Sequence, residues 1–162
     1  GKILKPEDVI ALARTSDDEA IWDVTNGYSS AYQSIINELQ DKDFDHLICP
    51  VGSGEAFVGL YQGLKAINHK AKLVGVGVAS RPSFADKLST PWTPYEEKIK
   101  EIVSEGHTLI RLTENEVQEA YEANKNRYLS EPSSTVVWKG LERLALNTEA
   151  KVVVLNSGKG LY

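Results

Sequence analysis

Short apolar runs rich in β-branched residues, separated by segments with helical periodicity, most strongly constrain the fold of this 162-residue chain. Runs of this kind are typical of strands that are buried on both faces. They are, in chain order, Ile21–Val24, His46–Val51, Lys72–Val78 and Lys151–Leu155, with His107–Leu112 as a weaker candidate. Strands that alternate with helices predict an α/β fold, a three-layer αβα sandwich around a mostly parallel sheet.

Apolar residues recur at helical spacing between the predicted strands. Thr113 followed by Glu116 forms a capping box, which predicts a helix start there. Further helices are predicted over Ser29–Gln40, Glu55–Ile67, Pro94–Val103 and Ser133–Leu146, and a leading one over Pro6–Thr15. We expect a single α/β domain over residues 1–162, in which residues 1–20 form a leading helix from a domain junction.

Composition narrows the partners that we expect. A formal net charge of -5 without a basic cluster argues against a nucleic-acid partner. No apolar run approaches the roughly 20 residues that span a bilayer, so we expect no membrane partner. The lone cysteine, Cys49, has no internal disulfide partner, as is usual in a reducing compartment, so we expect a soluble, cytoplasmic protein.

The run Gly52-Ser53-Gly54 follows a predicted strand and precedes a predicted helix. Backbone N–H groups and the helix dipole converge on an anion in that setting. The dinucleotide fingerprint fails, because it needs glycine at Phe57, and the Walker A pattern fails after Gly59, where Leu60 stands. The residues alone leave two interpretations open, a phosphate-binding loop and a plain strand-to-helix turn.

Four segments in a fixed order resemble the second half of the fold-type II pyridoxal-phosphate enzymes, the tryptophan synthase β superfamily. That superfamily includes threonine synthase, cysteine synthase, serine and threonine dehydratases and aminocyclopropane-carboxylate deaminases. The segments read "DHLICPVGSGEAFVGLYQGLKA", "KLVGVGVAS", "EPSSTVVWKGL" and "KVVVLNSGKGLY". Their ordered recurrence over about 135 residues is far more specific than any one of them.

The resemblance assigns functions to individual residues. In the family, the glycine-rich loop holds the phosphate of the cofactor pyridoxal phosphate, and here that loop is Gly52, Ser53, Gly54, Glu55 and Ala56. Ser157 holds the place of the group that faces the pyridine nitrogen, and Ser133 in the "EPSS" segment lies close to the cofactor. The resemblance implies a lyase or synthase that carries out β-elimination or replacement on a small amino acid, similar to threonine synthase or cysteine synthase.

Two departures from the family pattern bear on function. Glu55 replaces a glycine, and its carboxylate would repel a phosphate dianion unless the side chain points away or meets a cation. The lysine that forms the Schiff base lies in the first half of the family's chain, and Lys65, Lys72 and Lys159 are expected to be surface residues. We therefore expect this chain alone to be inactive. The expected partners are an N-terminal half that carries that lysine, or a homodimer partner, and a small amino-acid substrate.

Other residue types give weaker indications. His46, His69 and His107 are too dispersed for a metal site, and Cys49 is expected to be a buried thiol. The polar loop 79–93 is too irregular to be an element and is expected to be functional or an interface. Two other functions stay open, a non-catalytic binding or interaction module that keeps the fold and an unrelated nucleotide-binding domain.

Overall fold

Four strands form one sheet in the computed structural model, which describes residues 27–90, 93–128 and 130–158. They are β1 (His46–Pro50), β2 (Lys72–Val78), β3 (Thr108–Leu112) and β4 (Val152–Val154). Every pairing is parallel and the strand order is β3-β2-β1-β4, which places β1 and β2 at the centre. The predicted strand Ile21–Val24 and the predicted leading helix lie outside the described residues.

Five helices connect and cover the described strands. They are α1 (Ser29–Leu39), α2 (Glu55–Ala66), α3 (Glu96–Ser104), α4 (Glu114–Tyr128) and α5 (Pro132–Leu144). The capping box is confirmed at the start of α4, because Thr113 N–H donates to Glu116 Oε2 at 2.8 Å and Glu116 N–H to Thr113 Oγ1 at 3.4 Å. Within these described parts of the chain, no helix is both long and apolar enough to cross a membrane.

The sheet lies between two helical layers, which confirms the predicted αβα sandwich. Residues of α1, α2 and α3 pack with Leu47, Cys49 and Leu73 on one face of the sheet. On the other face, α4 and α5 pack with Ile48, Val74 and Val76. Because side chains alternate along a strand, β1 and β2 contribute apolar residues to both layers, and this explains why their sequences are continuously hydrophobic.

The pairing register brings the ends of neighbouring strands to one edge. Ile48 in β1 pairs with Val154 in β4 and with Val74 in β2. All four strands are parallel, so the loops that follow them meet at the carboxyl edge of the sheet. The Gly52-Ser53-Gly54 run follows β1 at this edge, and Ser157 follows β4.

Two local expectations need correction. The loop 79–93 is not without structure, because its residues Asp86–Leu88 form one turn of 3-10 helix. The predicted start of the last helix at Ser133 is wrong by one residue, because α5 begins at Pro132 and its N-cap is Glu131. Proline suits the first helical position, where the missing N–H would have no partner in the helix.

Candidate functional site

The turn between β1 and α2 bends sharply at one glycine. Gly54 stands at the N-cap of α2 with a φ of 96°, in the left-handed region that glycine adopts without strain. Before it, Val51 N–H still donates to the carbonyl of Val76 at 2.8 Å. The chain therefore leaves the sheet after Val51 and enters the helix within three residues.

Backbone amides of this turn form a row of unused donors. Within the described parts of the chain, no hydrogen-bond acceptor pairs with the N–H groups of five residues, namely Gly52, Ser53, Gly54, Ala56 and Phe57. The intervening Glu55 N–H reaches Ser53 Oγ at 3.4 Å. The positive end of the α2 dipole lies at the same place, so the turn can bind an anion such as a phosphate.

The glycines of the turn are also required by packing. A Cβ atom at Gly52 would lie 2.8 Å from the carbonyl oxygen of Lys87. One at Gly54 would lie 2.6 Å from Cδ1 of Ile99 and 3.2 Å from Cβ of Tyr95. The turn is therefore enclosed by the loop 79–93 and by α3, and its shape depends on these neighbours.

The Glu55 carboxylate is directed towards protein donors. Its side chain is buried, with only 5% of the residue exposed. Glu55 Oε1 accepts hydrogen bonds from the backbone N–H of Tyr28 and from the hydroxyl of Tyr95, the latter at 3.1 Å. These contacts supply the donors that a buried carboxylate needs, as in the sequence-based alternative in which the side chain points away.

Serines from two segments lie where α5 begins and where the chain leaves β4. Ser133 and Ser134 lie in the first turn of α5 and are buried. Ser134 Oγ and Ser157 Oγ share a hydrogen bond of 3.1 Å, and Glu131 N–H donates to the carbonyl of Gly158 at 3.3 Å. The exposed Ser157 is therefore hydrogen-bonded to the buried Ser134.

Lys87 joins this serine cluster to the glycine turn. Its backbone N–H donates to Ser133 Oγ at 3.2 Å, and its carbonyl oxygen lies against Gly52. Its ammonium group forms an ion pair with the Glu131 carboxylate. The sequence-predicted residues Gly52, Ser53, Gly54, Glu55, Ala56, Ser133 and Ser157 therefore all occur in segments that this edge brings together.

Several contacts at this edge were not predicted. Lys87 lies in the polar loop 79–93, whose length was the one available signal of function. Ser134 follows Ser133 directly in the "EPSS" segment, but nothing in the sequence distinguishes its hydroxyl as the one that contacts Ser157. The contact between Tyr95 and Glu55 joins residues that are 40 positions apart, so no local sequence pattern predicts it.

The lysines, cysteine and histidines that the sequence analysis considered for other functions do not form a second site within the described residues. Lys72 Nζ donates to the carbonyl of Gly106 at 3.0 Å at the amino end of β2, and Lys65 pairs with Glu105. Cys49 is fully buried, and burial raises the pKa of its thiol to about 12. No group of histidine, cysteine and acidic side chains that could hold a metal ion occurs among the described residues. Lys159 lies outside them.

Known proteins match both the sequence and the fold. The family model described as "Pyridoxal-phosphate dependent enzyme" matches residues 4–158. A "Putative 1-aminocyclopropane-1-carboxylate deaminase" from Thermotoga maritima is 23% identical, over 82% of this chain and 46% of the relative. The chain thus spans about half the length of this curated relative.

Solved structures share the fold at low sequence identity. A threonine deaminase from T.th. has a TM-score of 0.65 and 18% identity, and the match covers 99% of this chain and 67% of that one. Maize serine racemase has a TM-score of 0.67 and 17% identity, with 88% and 52% of the two chains covered. Both are fold-type II enzymes. The four-stranded parallel sheet of this chain, flanked by helices, matches the pyridoxal-phosphate dependent domain of that fold type. The family model matches this chain over most of its length, and the shared fold agrees with that match. The chain therefore belongs to the family of pyridoxal-phosphate dependent enzymes.

Proposed function

We propose that this chain is the cofactor-binding domain of a pyridoxal-phosphate dependent lyase or synthase. In this proposal the turn from Gly52 to Ala56 holds the cofactor phosphate and Ser157 faces the pyridine nitrogen. The observation that carries the proposal is the row of amides in the turn before α2, for which the described residues provide no acceptor. This turn follows β1, which pairs with β4, the strand that Ser157 follows. A phosphate provides the acceptor oxygens for which such amides are suited.

The residues fit the group that the family requires. When bound, pyridoxal phosphate supplies an electron sink for charge that develops at the α-carbon of an amino acid. The amides of the turn would bind and orient its phosphate. A Ser157 hydroxyl is neutral and would not hold a proton on the ring nitrogen as a carboxylate would. Such a ring is a milder electron sink, suited to β-elimination or replacement on a small amino acid such as a serine or threonine derivative.

The matched proteins support a small amino acid as substrate, since they are named as deaminases and a racemase of such molecules. We further propose that the Schiff-base lysine comes from an N-terminal half and that this chain alone is inactive. Lys87, which lies at the site, has its ammonium group engaged with Glu131. The lone cysteine agrees with a cytoplasmic location.

Ligand binding tests the proposal. The protein in its full natural length is titrated with pyridoxal phosphate and with pyridoxal, which lacks the phosphate, and both dissociation constants are measured. We expect at least about a hundredfold preference for the phosphorylated form, because several amide–phosphate hydrogen bonds together contribute about 3 kcal/mol. Ser157→Ala should weaken the binding of both ligands alike, since neither the proposed ring contact nor the hydrogen bond to Ser134 that it removes involves the phosphate. Equal affinity of the unmodified protein for the two ligands would contradict the proposal.

Turnover separates the enzyme from the remaining alternative. The full-length protein, loaded with cofactor, is assayed for release of ammonia from serine and threonine and for exchange of their β substituents. Turnover of either amino acid supports a lyase or synthase. Tight binding of pyridoxal phosphate without any turnover would instead favour a non-catalytic binding module that keeps the fold.

A further inference from the structure

The Glu55 carboxylate lies at the centre of a chain of hydrogen bonds between three segments. Tyr95, just before α3, donates its hydroxyl hydrogen to Glu55 Oε1 at 3.1 Å and accepts the N–H of Gly27 at 2.9 Å. The N–H of Tyr28 donates to the same Glu55 oxygen. We call these four residues the Glu55 bridge. It links the residues before α1, the start of α2 and the start of α3.

The bridge lies directly against the glycine turn. Glu55 is the first residue of α2, so it follows Gly54 immediately. Tyr95 packs on Gly54, because a Cβ atom at that glycine would lie 3.2 Å from the Tyr95 Cβ. Gly54 has the left-handed conformation that sets the direction of the turn. The packing of Tyr95 against Gly54 limits the movement of this glycine.

Burial makes these hydrogen bonds necessary. A carboxylate with 5% of its residue exposed is costly to keep charged unless donors surround it, and two donors converge here on one oxygen. A neutral glutamine could offer the same oxygen to both donors, whereas alanine would leave Tyr28 N–H and the Tyr95 hydroxyl without their acceptor. The two replacements therefore separate the charge of Glu55 from its bonding.

We infer that Glu55 is a positioning residue, which acts through the Glu55 bridge to hold the amides of the glycine turn in the arrangement that binds a phosphate. The inference rests on the proposed function. Preorganised donors bind more tightly because no ordering is needed when the ligand arrives. Glu55 thereby favours the phosphate ligand despite its negative charge.

Variants at three positions test this role. Glu55→Ala, Glu55→Gln and Tyr95→Phe are made in the protein at its full natural length, and each is titrated with pyridoxal phosphate and with pyridoxal. The preference for the phosphorylated ligand should fall at least tenfold in Glu55→Ala, fall less in Tyr95→Phe and be retained in Glu55→Gln. Glu105→Ala is the matched control, since Glu105 accepts the Tyr61 hydroxyl at 2.7 Å and likewise links α2 to the end of α3.

The outcomes decide between three roles for Glu55. A preference that falls in Glu55→Ala and returns in Glu55→Gln, with no change in Glu105→Ala, supports positioning. A preference that rises in Glu55→Ala would mean that the carboxylate obstructs the phosphate, and an unchanged preference with reduced thermal stability would mean a structural role only. Either result overturns the inference. If Glu55→Ala does not fold, Tyr95→Phe provides the test: a lower preference for the phosphorylated ligand supports positioning, and an unchanged preference overturns it.

Failure of the proposed function gives a different result. If the unmodified protein binds no pyridoxal phosphate, that function is wrong, and the effect of Glu55 is then measured without ligand. The ¹⁵N relaxation of the Gly54 and Ala56 amides should show larger motion in Glu55→Ala and return to the original values in Glu55→Gln. Unchanged relaxation in Glu55→Ala would overturn the positioning role by itself.

Discussion

Ser134 Oγ lies 3.1 Å from Ser157 Oγ, so the first turn of α5 is hydrogen-bonded to the residues that follow β4. Ser134 is fully buried, whereas Ser157 is exposed at the carboxyl edge. A buried hydroxyl thus fixes the position of one that is free to meet a ligand. The contact gives Ser157 a defined place at the carboxyl edge of the sheet, although its chain segment is not part of any helix or strand.

Replacement of Ser134 by alanine should lower stability without removing the phosphate preference. The loss of one buried hydrogen bond costs about 1 kcal/mol, which urea unfolding can measure. The preference for pyridoxal phosphate over pyridoxal should stay within twofold of the original, because the amides of the turn are untouched. A variant with full stability but no phosphate preference would contradict this division of roles.

Gly54→Ala should be more destabilising than Gly27→Ala, although both glycines have nearly the same positive φ, 96° and 94°. The left-handed conformation costs alanine about 1–2 kcal/mol at either position. At Gly54 the new methyl group also meets Ile99 at 2.6 Å, which adds about 1–3 kcal/mol, whereas nothing lies within 4 Å at Gly27. Urea unfolding of both variants measures the difference. Equal losses would show that Gly54 is not crowded by α3.

Cys49 should resist thiol reagents in the folded protein. Its side chain is fully buried in β1, and burial raises the pKa of the thiol to about 12, so almost no thiolate is present at neutral pH. An aromatic disulfide reagent should modify it only as fast as the protein unfolds, and at once in urea. Rapid and complete modification under native conditions would be inconsistent with this burial.

His107 should make stability depend on pH. Leu73 N–H donates to His107 Nδ1 at 2.9 Å, which requires that nitrogen to be unprotonated. Burial, and then the Lys72 ammonium, lower the pKa of His107 below its usual 6.5. The unfolded chain therefore binds a proton at a higher pH than the folded chain, so stability is full above pH 6.5 and falls as the pH drops below it.

Urea unfolding at a series of pH values measures that loss. His107→Gln is the comparison, because glutamine offers an amide oxygen but does not titrate in this range. The variant should lose less stability than the original protein as the pH drops below 6.5. An identical pH dependence in the two proteins would exclude His107 as its source.

The strands and the layer arrangement could be predicted from the sequence because the apolar pattern that indicates them lies within each segment. A strand covered by helices on both faces is apolar along its whole length, as β2 is from Leu73 to Val78, and that pattern can be read without knowing its neighbours. The capping box at Thr113 marked one helix start, and the predicted starts at Ser29 and Glu55 were exact without a side-chain cap. The other two predicted starts differ by one residue at Pro132 and by two at Glu96.

The contacts of the site could be predicted only in part. The position of the glycine turn follows from the order of elements, since a loop after a parallel strand lies at the carboxyl edge. The direction of the Glu55 side chain does not, because its partners Tyr28 and Tyr95 come from distant segments that only the folded sheet brings together. The ion pair between Lys87 and Glu131 has the same origin.

The most direct test of the phosphate-binding role is a titration followed by NMR with ¹⁵N-labelled protein. Pyridoxal phosphate should shift the amide resonances of Gly52, Ser53, Gly54, Ala56 and Phe57, whereas pyridoxal should leave them nearly unchanged. These are the N–H groups that have no acceptor within the described residues. Shifts of the same size with both ligands, or shifts that avoid the turn between β1 and α2, would contradict the claim that this turn holds the phosphate.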